Sequence, residues 1–211
     1  MAGLDFTQLL VAFAVLIVSL TVHEAAHAWT ADRLGDPTAR RLGRLSLNPA
    51  VHVDVIGTIA FPLIAMLTGV PLIGWAKPVP VDPRHLRAPR RDFAVIAAAG
   101  PASNLGLAAG CAAAYAAVPD AAIAAGGAAT VVSGALLLAV LVNVLLAVFN
   151  MIPVPPLDGG NVLAGVLPDQ LAAAVDRLRP YGIFILYGLM LTGALSAIVS
   201  PVRLAILTWL L

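Results

Sequence analysis

Apolar runs of about 20 residues, the length a helix needs to cross a bilayer, recur along this chain between short polar breaks. The first runs from Leu4 to about Ala31 and ends in Asp32-Arg33. The second, Val55 to Ile73, is interrupted by Gly57, Pro62, Gly69 and Pro71. Phe93 to Val118, Ala128 to Ile152 and Tyr181 to Val199 follow. The tail from Val202 to Leu211 is too short to span alone, so it extends the fifth helix beyond Pro201 or lies in the interface. The pattern predicts an all-α integral membrane protein, a polytopic bundle of about four to six transmembrane helices.

The polar connections refine this. Residues 32–54 carry Arg33, Arg40, Arg41 and Arg44; residues 77–92 carry Lys77, Arg84, Arg87, Arg90 and Arg91; residues 119–127 carry no basic residue. Basic loops favour the cytoplasmic face. A full crossing by 55–73 would place the two most basic loops on opposite sides. They share a side if a helix from Val55 to about Leu67 enters and an extended stretch through Gly74-Trp75-Ala76-Lys77-Pro78-Val79-Pro80-Val81 returns. The prolines there forbid a helix, and non-helical backbone at that depth must be buried or line a wet cavity. A re-entrant segment is therefore expected beside any intramembrane site.

Composition agrees. Hydrophobic residues make up 61% of the 211 and charged residues 11%, against about 25% charged in soluble domains. Lipid must cover much of the surface. A net charge of +1 gives no basic surface for nucleic acid. The N-terminal run lacks a basic leader and continues into polar chemistry, so it reads as a retained span. The lone cysteine, Cys111, cannot form an internal disulfide.

That polar chemistry is His23-Glu24-Ala25-Ala26-His27. Histidines at i and i+4 leave one face of a helix together, as two ligands of one tetrahedral zinc must. Glu24 is placed to take a proton from a water that the metal acidifies. It is the only glutamate in the chain and stands between two of only four histidines. Such residues inside an apolar span are expensive and call for a function. Zinc needs a third protein ligand and an open position. With Glu24 used as base, the candidates are Asp158, which follows an apolar run, and Asp54 and His52, which precede another. Capping the re-entrant helix is the commoner use of an Asp at position 54.

These motifs resemble the site-2 protease family of intramembrane zinc proteases. His23-Glu24-Ala25-Ala26-His27 matches HExxH, Gly100-Pro101-Ala102-Ser103-Asn104 matches GPxxN, and Leu157-Asp158-Gly159 matches LDG. Asn48-Pro49 with His52, Asp54 and Gly57 resembles a pattern of short bacterial members. The resemblance runs from the first span to about residue 165. It implies one zinc ion held by His23, His27 and Asp158. It implies hydrolysis in or near a transmembrane helix of a membrane-protein substrate, close to the cytoplasmic face of a bacterial membrane, in regulated intramembrane proteolysis. The chain is expected to form a single membrane-embedded metalloprotease domain over 1–211, with a catalytic core of about 4–165 and a helical region over 180–211. No PDZ-like domain separates the motifs. Depth is consistent: His27 lies about 6 Å from the Ala31 end of its helix, so water can reach it.

Asn104 and Asn150 are candidates for substrate binding or transition-state support, against the alternative of hydrogen bonds between helices. Asn143, seven residues before Asn150, fits the alternative better. Pro153, Pro155 and Pro156 break the fourth helix ahead of Asp158. The Trp75–Val81 stretch is either an edge for an unwound substrate or a cavity-lining loop; Pro78 and Pro80 leave one edge at most. His85 is expected in solvent, and the nearby arginines at the headgroups. A metal transporter is the rival function, disfavoured by the Glu beside His23 and by the lack of an inverted repeat. A catalytically inactive scaffold is disfavoured because all four site residues are kept.

Overall fold

The computed structural model describes residues 6–69 and 73–211. The start of the first expected span at Leu4, and Pro71 within the second apolar run, lie outside them. Among the described residues every regular element is helical. The helices are α1 (Phe6–Arg33), α2 (Val55–Thr68), α3 (Pro89–Ala116), α4 (Ala128–Asn150), α5 (Asp158–Val166), α6 (Asp169–Arg177), α7 (Gly182–Leu191) and α8 (Ala194–Leu210). Short helical turns occupy several of the connections.

Three of these, α1, α3 and α4, are long and apolar enough to cross a membrane; the 169–191 stretch with α8 makes a fourth if that bent pair is one span. α3 is the hub and packs against α1, α4 and α5. It tolerates Pro89 in its first turn, where the missing N–H has no partner to lose, and carries Pro101 within. At the far end, Ala108 and Ala112 of α3 meet Val140 and Val144 of α4, with Ile206, Leu207 and Leu210 of α8 against them. Small residues on α3 let the backbones approach there. Nearer the site, Ile152, Leu157, Leu186 and Val199 form a second cluster.

The segment after Asp54 enters and returns. Asp54 caps α2, its Oδ1 accepting from the backbone N–H of Ile56 (3.0 Å) and Gly57 (2.7 Å). α2 opens with a wide turn over Val55–Ala60 and stops at Gly69, whose φ of +71° suits only glycine without strain. Its length is about 21 Å, short of a bilayer's hydrocarbon core. The chain comes back extended, and Trp75 N–H donates to the Gly57 carbonyl at 3.1 Å. The Thr58 hydroxyl donates to the Trp75 carbonyl at 2.8 Å. The segment thus ends beside its own beginning.

The fifth run departs from its expected course. A single helix from Tyr181 to Val199 does not form. α7 stops at Leu191, Gly193 adopts φ +78°, and α8 leaves at 79°. The helix then continues through Pro201 to Leu210. The break is set by the left-handed glycine, and the proline is absorbed within the helix.

Candidate metal centre

α1 delivers two imidazoles to one point. His23 and His27 lie one turn apart and share a face. Their Nε2 atoms stand 3.0 Å apart, with the rings edge to face. Asp158 opens α5 and brings Oδ2 to 3.1 Å from His23 Nε2 and 3.5 Å from His27 Nε2. Ligand atoms of His23, Glu24 and His27 lie within 4.8 Å of one another, and all three residues are buried.

Local sequence explains how Asp158 arrives. α4 ends at Asn150 and the proline-rich turn reverses the chain. Gly159 and Gly160 then let α5 start directly on that turn: a Cβ at either would overlap the backbone of Met151–Ile152 or Val154–Pro155. A side chain at either position would force the turn or the start of α5 to shift.

The far ring nitrogens decide the tautomers. His23 Nδ1 lies 2.7 Å from Asn104 Oδ1, and His27 Nδ1 lies 2.7 Å from the Ile96 carbonyl oxygen. Both partners can only accept, so each Nδ1 carries the proton and donates. A neutral ring then presents its lone pair at Nε2. Two lone pairs and a carboxylate oxygen converge on one spot. Oδ2 of Asp158 and Oε2 of Glu24 are buried there without a hydrogen-bond partner.

The cluster lines a cavity of about 440 Å³. Trp75, Ala76, Pro78 and Val79 of the extended segment form another part of its wall, with Phe149, Asn150 and Asn161. The segment is fastened along one edge. Trp75 bonds to α2 as described; Lys77 N–H donates to the His52 carbonyl at 2.9 Å, and Arg44 Nη2 to the Lys77 carbonyl at 2.5 Å. Backbone groups alternate along an extended chain, so those of Ala76 point to the opposite edge.

The other sequence candidates separate. Asn150 lines the cavity, its amide donating to the Leu146 carbonyl of its own helix at 2.9 Å. Asn104 is fully buried behind His23 and is not part of the cavity wall; its hydrogen bonds run between helices. Asp54 serves as the α2 cap, and His52 Nε2 donates to the Ser46 carbonyl at 2.8 Å; neither joins the cluster. His85 is not simply solvated: its Nδ1 lies 3.2 Å from Oδ1 of Asp36, a wholly buried carboxylate that sequence reasoning passed over.

Comparison with known proteins gives the family. The peptidase family M50 model matches residues 119–190, the stretch that contains Asp158. The "Putative zinc metalloprotease YwhC" of Bacillus subtilis is 35% identical over 192 residues, covering 88% of this chain and 82% of that protein. The "Putative zinc metalloprotease Rip2" of Mycolicibacterium smegmatis is 33% identical over 181 residues, covering 85% of this chain and 66% of that protein. The chain belongs to the site-2 protease family, peptidase family M50. No solved structure matches it significantly.

Family membership makes the protein a zinc metallopeptidase with apolar helices suited to a multi-pass membrane position. The donors present fit zinc. A tetrahedral ion with ligands at about 2.0–2.2 Å separates them by about 3.3 Å; the three separations here are 3.0, 3.1 and 3.5 Å. Imidazole and carboxylate are also donors this borderline ion accepts. Without a cation, the converging lone pairs repel.

Proposed function

We propose that this site-2 protease is an intramembrane endopeptidase in which His23, His27 and Asp158 hold the zinc and Glu24 is the general base. The observation that carries the reading is the 3.0 Å approach of the two Nε2 atoms, whose Nδ1 partners are acceptors, beside the unpartnered Asp158 Oδ2. When bound, zinc supplies Lewis acidity for a scissile carbonyl and lowers the pKa of water.

The residues supply the rest. Glu24 keeps a buried carboxylate oxygen free within the cavity wall, where it can accept a proton from water and return it to the leaving amine. Asn150 lines the same cavity and can support the developing negative charge. The free edge at Ala76 can pair with substrate backbone, which exposes a peptide bond otherwise shielded within a helix. The substrate is then a transmembrane segment of another membrane protein, cut near the basic, cytoplasmic side of a bacterial membrane to release a regulator. The whole chain, 1–211, acts as one membrane-embedded domain, with the core at about 4–165 and the 180–211 helices beside it.

The decisive comparison is zinc content and cleavage of a helical membrane substrate by wild type and Glu24→Gln. Both should bind one zinc, and only wild type should cleave. Equal cleavage by the two would refute Glu24 as the base.

A further inference from the structure

His23 owes its tautomer to residues that never approach the metal. Asn104, on α3, accepts from His23 Nδ1 through Oδ1. Its Nδ2 donates to Asn143 Oδ1 on α4 at 2.7 Å and to the Ser19 carbonyl on α1 at 3.2 Å. Asn143 Nδ2 donates in turn to the Ser19 hydroxyl at 2.9 Å and to the Ala139 carbonyl at 2.9 Å. The Ser19 hydroxyl donates to the Val15 carbonyl at 2.7 Å. Ser19, Asn104 and Asn143 are all at most 1% exposed.

A side-chain amide can present either end to a neighbour. Had Asn104 turned over, its NH₂ would face His23 Nδ1. That nitrogen would then carry the lone pair and Nε2 the proton, which blocks Nε2 as a ligand. The Asn143 oxygen and the Ser19 carbonyl both require donors from Asn104, and neither tolerates its oxygen. The Asn143 amide is oriented in the same way by the Ala139 carbonyl, which accepts only. Direction therefore passes along the chain from α4 to the ring.

We propose that Asn104, held by Asn143 and Ser19, is a positioning relay that locks His23 in the Nδ1–H tautomer and so sets zinc affinity. α4 thereby controls the metal site through Asn143 although that residue supplies no ligand. The relay rests on His23 being a zinc ligand.

The test is zinc affinity by chelator competition, with the His23 tautomer read by ¹⁵N NMR of the metal-free full-length chain in micelles. The variants are His23→Ala, Asn104→Ala and Asn143→Ala. Removing a partner behind a ligand costs about 10- to 100-fold in metal affinity, and Asn104→Ala should fall in that range. Asn143→Ala should weaken zinc by about tenfold, within the same range, and populate both His23 tautomers.

Wild-type affinity in Asn143→Ala, or an unmixed tautomer there, overturns the relay. If Asn104→Ala fails to fold, Asn143→Ala decides alone: weakened zinc beside a mixed His23 tautomer supports the relay, and weakened zinc with the Nδ1–H tautomer unmixed overturns it. Undiminished zinc binding in His23→Ala overturns the ligand reading itself, a different failure.

Discussion

Gly100 of α3 faces the imidazole of His27 so closely that a single added methyl group would overlap Nε2 and Cε1 of that ring and reach Cε1 of His23. The absence of a side chain there lets the helix carrying Asn104 and the Ile96 carbonyl close on the back of both rings. Gly100→Ala leaves helix propensity no worse, since alanine is the better helix former. Its cost falls on the metal site. Zinc binding should weaken at least about tenfold, the scale of a disturbed supporting shell, while helix content by circular dichroism stays unchanged. Wild-type zinc affinity in that variant would mean the rings can turn aside without loss.

Arg44 points at the cavity wall from behind. It is 7% exposed, and its guanidinium donates to the Lys77 carbonyl on the extended segment. A hydrogen bond from a charged donor contributes about 1.5–3 kcal/mol. Arg44→Ala should therefore loosen the segment rather than the metal. KM for a membrane substrate should rise about tenfold, the equivalent of 1.4 kcal/mol, with zinc stoichiometry and kcat little altered. A fall in zinc content instead would show that Arg44 braces the metal site.

Asp36 ties the end of α1 to the end of the extended segment. Burial pushes its pKa up, but hydrogen bonds from the Thr38 hydroxyl and from the N–H groups of Asp82 and Thr38, with His85 nearby, outweigh it and hold the carboxyl below its ordinary 3.8. A depressed folded pKa stabilises the protein fully above the unfolded value. That stability is lost as pH falls through the folded value. Asp36→Asn puts an NH₂ where one donor must be met, so stability near pH 7 should drop by about 1–3 kcal/mol. Its thermal midpoint should also decline less than that of wild type between pH 5 and pH 3. Parallel curves for the two proteins in detergent would remove Asp36 from the account.

How much of this was legible beforehand depends on what kind of information each feature carries. The histidines announce their geometry because spacing on one helix is local, and Asp54 announces a cap for the same reason. The re-entrant path could be argued from prolines and charge because backbone chemistry and topology are written in composition. Asp36 and Arg44 looked unremarkable because the partners that give them a role lie 46 and 33 residues away in the chain; Asn143 was legible as a bond between helices, but not its partner 39 residues away. Only the packed structure brings a loop aspartate under Asp82 or a guanidinium against Lys77. The fifth span was misread for a related reason. Pro201 is the stronger local breaker, yet the bend falls at Gly193, where the chain turns under tertiary packing around Leu186 and Val199.

The two carboxylates that competed for the metal now make opposite predictions. Asp158 Oδ2 is buried, unpartnered and 3.1 Å from His23 Nε2. Asp54 Oδ1 is already engaged by two backbone N–H groups at the start of α2. Asp158→Ala should lose zinc by far more than the roughly 10- to 100-fold of a supporting residue, because it removes a donor outright. Asp54→Ala should keep zinc and lower thermal stability by about 1 kcal/mol, the worth of an N-cap. Its loss of cleavage should scale with how far α2 and the Trp75 segment loosen, and hydrogen exchange at Gly57 and Trp75 reads that directly. Equal zinc retention in Asp158→Ala and wild type would return the third ligand to open competition, whereas zinc loss in Asp54→Ala would mean that α2 and the metal fold as one unit.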